Sequence, residues 1–199
     1  MNIVCLDMEG VVTPEIWVAF AEASGIPELK RTTREEPDYD RLMRWRLEIL
    51  KQHGLGLKEI QETISKIDPL PGAREFLEAL RQDTQVVILS DTFEEFAKPL
   101  LEKLGRPMIF CNSLEVAEDG CITGFHMRCQ ETKLTTVKAL QSMGYDTIAS
   151  GDSYNDLGMI GASKAGFLFR STESIKQAHP EIPAYESYEE LLDAIRRAL

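Results

Sequence analysis

Apolar residues follow two rhythms along this chain. Short continuous runs stand at Ile3-Val4-Cys5-Leu6, Gln85 to Leu89, Met108 to Phe110, Asp146 to Ala149 and Ala165 to Phe169. Such runs, bounded by polar residues, predict strands buried on both faces of a parallel sheet. Between most of them, apolar positions recur at helical spacing. Phe76, Leu77 and Leu80 mark one helix, and Phe93, Phe96, Leu100, Leu101 and Leu104 a second. Leu134, Val137, Leu140 and Met143 mark a third, and Leu191, Leu192, Ile195 and Leu199 the last. Strand alternating with helix predicts right-handed crossovers and an α/β fold on a doubly wound, Rossmann-like parallel sheet.

Two stretches break the alternation. From Pro14 to Pro69 the pattern is helical throughout, near Glu15 to Ser24, Asp38 to Gln52 and Leu57 to Lys66. One crossover needs one helix, so this stretch predicts a helical insertion that caps the carboxyl edge of the sheet. Residues 14–69 then form the cap domain, and residues 1–13 with 70–199 form the core domain. Asp68-Pro69-Leu70-Pro71-Gly72 is the expected return linker. The second break is Leu114 to Val116 and Ile122 to Phe125 around Glu118-Asp119-Gly120, which predicts a β-hairpin.

In an open parallel sheet, ligands bind beyond the carboxyl ends of the strands, so polar residues that end apolar runs carry the chemical information. Asp7 ends the first run, and Glu9 stands two residues on, on the same side of an extended backbone. Two such carboxylates repel unless a cation lies between them or one is protonated. A metal-bound carboxylate can attack phosphorus, and a neighbouring acid can protonate the leaving oxygen. Two solvated acids in a turn give the same local sequence. Ser90 ends the second run. The amides of Asp91 and Thr92 follow it, and Thr92 with Glu95 has the spacing of a capping box. That arrangement either presents Ser90 and the amides to a phosphate or only caps a helix. Lys133 opens a helix, where a cation is misplaced unless an anion is near. Gly151-Asp152-Ser153-Tyr154-Asn155-Asp156 places two acids four apart after a strand, which suits Mg²⁺ and its oxygen ligands.

Charge and composition narrow the partners. The formal net charge of the 199 residues is -11, and no basic run interrupts it. Nucleic acid and anionic membrane surfaces are disfavoured, whereas a small phosphorylated ligand is not, because a metal and a few cations reverse the field locally. Hydrophobic residues make up 43%, enough for a sizeable core. Cys5, Cys111, Cys121 and Cys129 form no CxxC pair and have no histidine at ligand spacing, which argues against zinc. With no signal-like N-terminus and no span-length apolar run, the expected setting is the reducing cytoplasm. Oligomeric state leaves no trace in the pattern.

The order of these motifs, from Asn2 to about Phe169, resembles the haloacid dehalogenase-like phosphotransferases. The matching residues are Asp7-Met8-Glu9-Gly10-Val11, Ser90, Lys133 and Gly151 to Asp156. The resemblance implies that Asp7 is the nucleophile that becomes an aspartyl-phosphate and Glu9 the general acid and base. It further implies Ser90 and Lys133 as phosphate ligands, and Asn155 nearby. Mg²⁺ would be bound by Asp7, Glu9 through its backbone carbonyl, Asp152 and Asp156. The family usually carries Asp where this chain has Glu9. Asp-x-Glu-Gly resembles the branch of phosphoserine phosphatases described as phosphoserine phosphatase/homoserine phosphotransferase, so phosphoserine is the expected substrate and homoserine a second acceptor beside water. The cap adds a separate clue. Arg46 is flanked at helical spacing by Leu42, Met43, Ile49 and Leu50, an apolar face on which an unpaired charge is costly. A substrate carboxylate would satisfy it, and Glu15 would meet the substrate ammonium. Arg46 snorkelling to solvent, or paired with an acid of the cap such as Glu15, is the competing arrangement. A phosphatase for sugar or nucleotide phosphates, a phospho-accepting receiver domain and an acidic protein-binding module are the other functional readings.

Overall fold

The computed structural model describes residues 1–32, 35–36 and 38–199. After β1 (Asn2–Leu6) come three helices, α1 (Ile16–Ser24), α2 (Tyr39–Gln52) and α3 (Leu57–Ile64), with a 3-10 turn at Pro27–Lys30. Then follow α4 (Ala73–Asp83), β2 (Gln85–Phe93), α5 (Glu94–Lys103), β3 (Met108–Val116), β4 (Ile122–His126), α6 (Thr132–Ser142) and β5 (Asp146–Gly151). The chain ends with α7 (Leu157–Ala162), β6 (Ala165–Phe169), α8 (Glu173–Ala178), β7 (Ala184–Tyr185) and α9 (Tyr188–Ala198).

The strands form a seven-stranded sheet of order β4-β3-β2-β1-β5-β6-β7. Every pairing is parallel except β3 with β4. From β1 the chain builds the sheet first toward β2 and β3, then crosses back to β5 on the other side. The order therefore reverses between β1 and β5, and a crevice opens beyond their carboxyl ends. Leu6 pairs with Ser150 on one side and Ile88 on the other, so Asp7, Ser90 and Gly151 leave the sheet at one edge.

Period-two alternation along β1 divides the core. Val4 and Leu6 enter one apolar cluster, with Phe76, Leu77, Leu191 and Ile195 from α4 and α9. Ile3 and Cys5 enter the other, with Val137, Leu140, Met159 and Ile160 from α6 and α7. Burial on both faces is why the strand reads as an unbroken apolar run. The helices after β1 join the first cluster through Trp17, Phe20, Met43 and Ile60. Asp38 starts α2 by accepting a hydrogen bond from the Arg41 amide at 3.1 Å. Two bonds tie α3 to the sheet side: the Leu57 amide to the Gly120 carbonyl at 2.9 Å, and Gln61 Nε2 to the Glu95 carbonyl at 2.9 Å.

Two expectations need correction. The runs at Met108 to Phe110 and Leu114 to Val116 are one strand. Its first half pairs with β2 and its second half with β4, so one strand serves both the parallel sheet and the hairpin. The capping box of Thr92 and Glu95 does not form. β2 continues past Ser90 to Phe93, with a register shift after Leu89, and Phe93 becomes the N-cap of α5. The Glu95 carboxylate instead accepts from the Leu114 amide at 3.0 Å, satisfying a β3 donor that β2 does not reach. Among the described residues, no helix is long and apolar enough to cross a membrane. All four cysteines are free.

Candidate active site

Asp7 follows directly on β1 and is 4% exposed. Its amide donates to the Ser150 carbonyl at 2.9 Å, which carries the β1–β5 ladder one residue further. Oδ1 accepts from the Met8 amide at 2.7 Å and lies 2.8 Å from Lys133 Nζ. Oδ2 accepts no hydrogen bond from the described residues. Lys133, buried at the start of α6, also donates to Asp156 Oδ1 at 2.6 Å. Burial by itself would lower the lysine pKa, but Asp7, Asp156 and Asp91 outweigh it and raise it, so the ammonium stays charged.

The loop after β5 brings in the other acids. Asp156 is fully buried, and its Oδ2 accepts from the amides of Asp152 and Ser153, each at 3.0 Å. Asp7, Asp152 and Asp156 offer oxygens all within 4.8 Å of one another, a group able to hold a metal ion. Burial pushes the Asp7 carboxyl well above its usual range, and repulsion from Asp156 and Asp152 adds to this against the pull of Lys133. Burial, Asp156 and Glu15 push Asp152 up to about 6. These are acids crowded beyond what one lysine neutralises, and oxygen donors in this number suit a hard divalent cation. The backbone approach is as close as the sequence permits. A Cβ on Gly10, which has φ +80°, would lie 2.5 Å from Asp152 Cγ, and one on Gly151 would lie 2.2 Å from Asp156 Cγ.

Glu9 has its carboxylate outside this trio. Oε2 accepts from the Ile16 amide at 3.1 Å, at the start of α1. Burial, repulsion and a hydrogen bond from Glu15, and the charge of Asp7 raise its pKa well above the usual range, which favours its protonated form. Glu15 therefore stands beside Glu9, as the N-cap of α1, and is exposed.

Ser90 is buried, and its Oγ accepts from the Thr92 amide at 3.2 Å, which commits that amide to the loop itself. Asp91 gathers four elements. Its carbonyl accepts from Asn112 Nδ2 at 2.9 Å and from the Tyr39 hydroxyl at 3.3 Å. Its carboxylate accepts from Asn155 Nδ2 at 3.0 Å and from the Thr132 hydroxyl. Arg46 is 5% exposed. It donates to the Arg31 carbonyl at 2.7 Å and lies over the Trp17 ring, 4.4 Å from the centroid, while its Nε has no partner. No carboxylate among the described residues comes within ion-pair distance of it, so pairing with a cap acid does not occur. Burial lowers its pKa to about 10, still charged at neutral pH.

The structure thus joins Asp7, Lys133, Asp152 and Asp156 directly, Asp91 to Asn155, and Glu9 to Glu15. Ser90 and Thr92 share the same sheet edge, and Arg46 on α2 feels the charges of Glu9 and Glu15 without forming an ion pair with either. Sequence reasoning passed over Tyr39, Asn112, Thr132 and Ser171. Ser171 donates to the Asp152 carbonyl at 2.6 Å. It follows the apolar run of β6, so the rule that found Asp7 and Ser90 reaches it too. Nothing local marks Tyr39 and Asn112, which meet Asp91 only through the fold.

The profile of the haloacid dehalogenase-like hydrolases matches residues 16–160, and the chain belongs to that family. Within it, the chain is 50% identical to phosphoserine phosphatase ThrH of Pseudomonas aeruginosa, over 96% of this chain and 93% of that protein. It is 48% identical to a phosphoserine phosphatase of Pseudomonas syringae pv. tomato, over 96% and 81%. A phosphoserine phosphatase solved as a phospho-aspartyl intermediate analogue shares the fold, with a TM-score of 0.78 at 22% identity over 97% and 98% of the two chains. Membership in a hydrolase family sets aside the receiver-domain and binding-module readings.

Proposed function

We propose that the chain is a magnesium-dependent phosphoserine phosphatase that works through an aspartyl-phosphate on Asp7 and also passes the phosphoryl group to homoserine. The observation that carries the reading is Asp7 itself, with Oδ1 held by Lys133 and Met8 and a carboxylate oxygen within 4.8 Å of oxygens of Asp152 and Asp156. Asp7, Asp152 and Asp156, with the Glu9 carbonyl, would hold Mg²⁺, which would supply positive charge to the cluster and to the phosphoryl oxygens.

In the first displacement Asp7 Oδ2 forms a bond to phosphorus as the bond from phosphorus to the serine oxygen breaks. Ser90, the Asp91 amide and Lys133 hold the phosphoryl oxygens. The Ser90 hydroxyl is oriented for this, since its oxygen already accepts from Thr92 and its proton is free to donate. Glu9, whose surroundings favour its protonated form, gives its proton to the departing serine oxygen. In the second displacement Glu9 takes a proton from water, or from the homoserine hydroxyl, whose oxygen attacks phosphorus and frees Asp7. Residues 14–69 act as the cap that excludes bulk water during both steps.

Arg46 supports the substrate class. It is a buried guanidinium with an unused donor, and a carboxylate is the group that satisfies it. Glu15 receives the substrate ammonium. A small amino-acid substrate and free thiols fit a cytoplasmic setting. The test is phosphate release from L-phosphoserine with Mg²⁺, run with and without homoserine. Turnover should exceed that of sugar and nucleotide phosphates, and phosphohomoserine should form. Equal turnover of all three classes would remove phosphoserine as the substrate.

A further inference from the structure

Tyr188, the first residue of α9, donates its hydroxyl proton to the carbonyl of Val11 at 2.6 Å, 177 residues earlier in the chain. Its ring is stacked between Phe76 and Phe169, 4.9 Å from each centroid and 24° and 28° from their planes. Arg170 lies over the same ring at 4.8 Å. The backbone at Gly72 is so near that a Cβ there would stand 3.3 Å from ring carbon Cδ2. A ring held on both faces by other rings has a fixed direction for its hydroxyl.

The segment it holds is a crossing point. Val11 and Val12 lead from Asp7 toward α1, and Leu70 to Gly72 lead back from α3 to α4. The two stretches meet where the Leu70 amide donates to the Val12 carbonyl at 3.1 Å. Upstream the chain is wound tightly: the Val12 and Thr13 amides both donate to the Met8 carbonyl at 2.9 Å, and the Gly10 amide donates to the Thr13 carbonyl at 2.8 Å. Met8 to Thr13 is therefore one turn, and a shift at Val11 carries Glu9 and Gly10 with it.

We propose that Tyr188 is a positioning residue for the reaction. Its hydroxyl clamps the hinge between sheet and helical insertion, and so fixes the turn that sets Glu9 beside Asp7. This rests on the readings of residues 14–69 as a cap and of Glu9 as acid and base.

Tyr188→Phe keeps the stacked ring and removes only the hydroxyl. Ile195→Val, in the same helix and fully buried, is the control for a general loss of stability. Amide hydrogen exchange on the full chain reads the hinge without any substrate. In Tyr188→Phe, opening at Val12, Thr13 and Leu70 should rise about tenfold, the effect of losing one buried hydrogen bond, and in Ile195→Val it should not. With L-phosphoserine and Mg²⁺, Tyr188→Phe should lower kcat about tenfold while Ile195→Val keeps it. The loss in kcat/KM, which reports formation of the aspartyl-phosphate and not the second displacement that both substrates share, should be smaller with p-nitrophenyl phosphate, whose leaving group needs no proton from Glu9. Unchanged exchange, unchanged kcat on phosphoserine, or equal losses in kcat/KM on the two substrates would each overturn the proposal. If the wild-type chain turns over neither substrate, the phosphatase reading fails, and the exchange measurement still decides the clamp.

Discussion

The two oxygens of the Asp7 carboxylate have different surroundings. Oδ1 is fixed by an ammonium and an amide, and in the proposed reaction Oδ2 is the attacking atom. Asn keeps the shape and the Oδ1 contacts but has no lone pair suited to displacement at phosphorus. Asp7→Asn should lower phosphoserine turnover roughly 10⁴-fold or more, the scale for loss of a nucleophile. It also removes one charge from a crowded group of acids, so the thermal midpoint should not fall. A variant that loses activity only because it unfolds would contradict this, and calorimetry tells the two apart. Arg46 poses the complementary case, a cation waiting for an anion. Arg46→Lys keeps charge but loses the planar fork, and should raise the KM for phosphoserine about 10- to 100-fold. Because p-nitrophenyl phosphate has no carboxylate, its KM should stay put. A matched rise for both substrates would remove Arg46 from substrate recognition.

At the scale of elements, the site is the meeting of strand ends. β1 leads to Asp7, β2 supplies Ser90, and the loop after β5 supplies Asp152 and Asp156, while α6 delivers Lys133 from its first turn. These were legible in the sequence because a doubly buried strand leaves an unbroken apolar run, and the polar residue that stops it marks the ligand edge. The Asp91 network was not legible. Its partners Tyr39, Asn112, Thr132 and Asn155 come from four separate elements, and no short spacing records their meeting. The capping box at Thr92 failed for a related reason: a pattern of four residues cannot know that β2 extends to Phe93 when paired. Gly151 tests how tightly the strand end must pack. Gly151→Ala would drive a methyl into Asp156, displacing the carboxylate that anchors Lys133. It should destabilise the fold by about 1–3 kcal/mol and weaken metal binding at least about tenfold. Normal Mg²⁺ activation in this variant would show that Asp156 need not sit where it does.

Across the whole molecule, charge couples the site to stability. The formal net charge is -11, but the acids that matter here are those of the site, Asp7 buried and Glu9 and Asp152 half-buried. Asp152 is raised to about 6, and Asp7 and Glu9 are raised as well. A carboxyl whose pKa is higher folded than unfolded stabilises the fold below its unfolded value and loses that contribution as pH rises through the folded value. The metal-free protein should therefore melt at lower temperature at pH 7.5 than at pH 5. Mg²⁺ should raise the melting temperature more at the higher pH, since protons no longer occupy its ligands. An equal shift at both pH values would contradict binding at these carboxylates. The run of helices between β1 and α4 was readable from the break in periodicity. The Tyr188 tie was not, because it joins Val11 to the far end of the chain.

The claim on which the rest depends is that phosphorus passes through Asp7. Rapid acid quenching of the enzyme during turnover of radiolabelled phosphoserine, followed by peptide mapping, measures it directly. Label should be found on the peptide containing Asp7 and should be released by hydroxylamine, as an acyl phosphate is. Turnover with no trapped label, or label on any residue other than Asp7, would contradict the account.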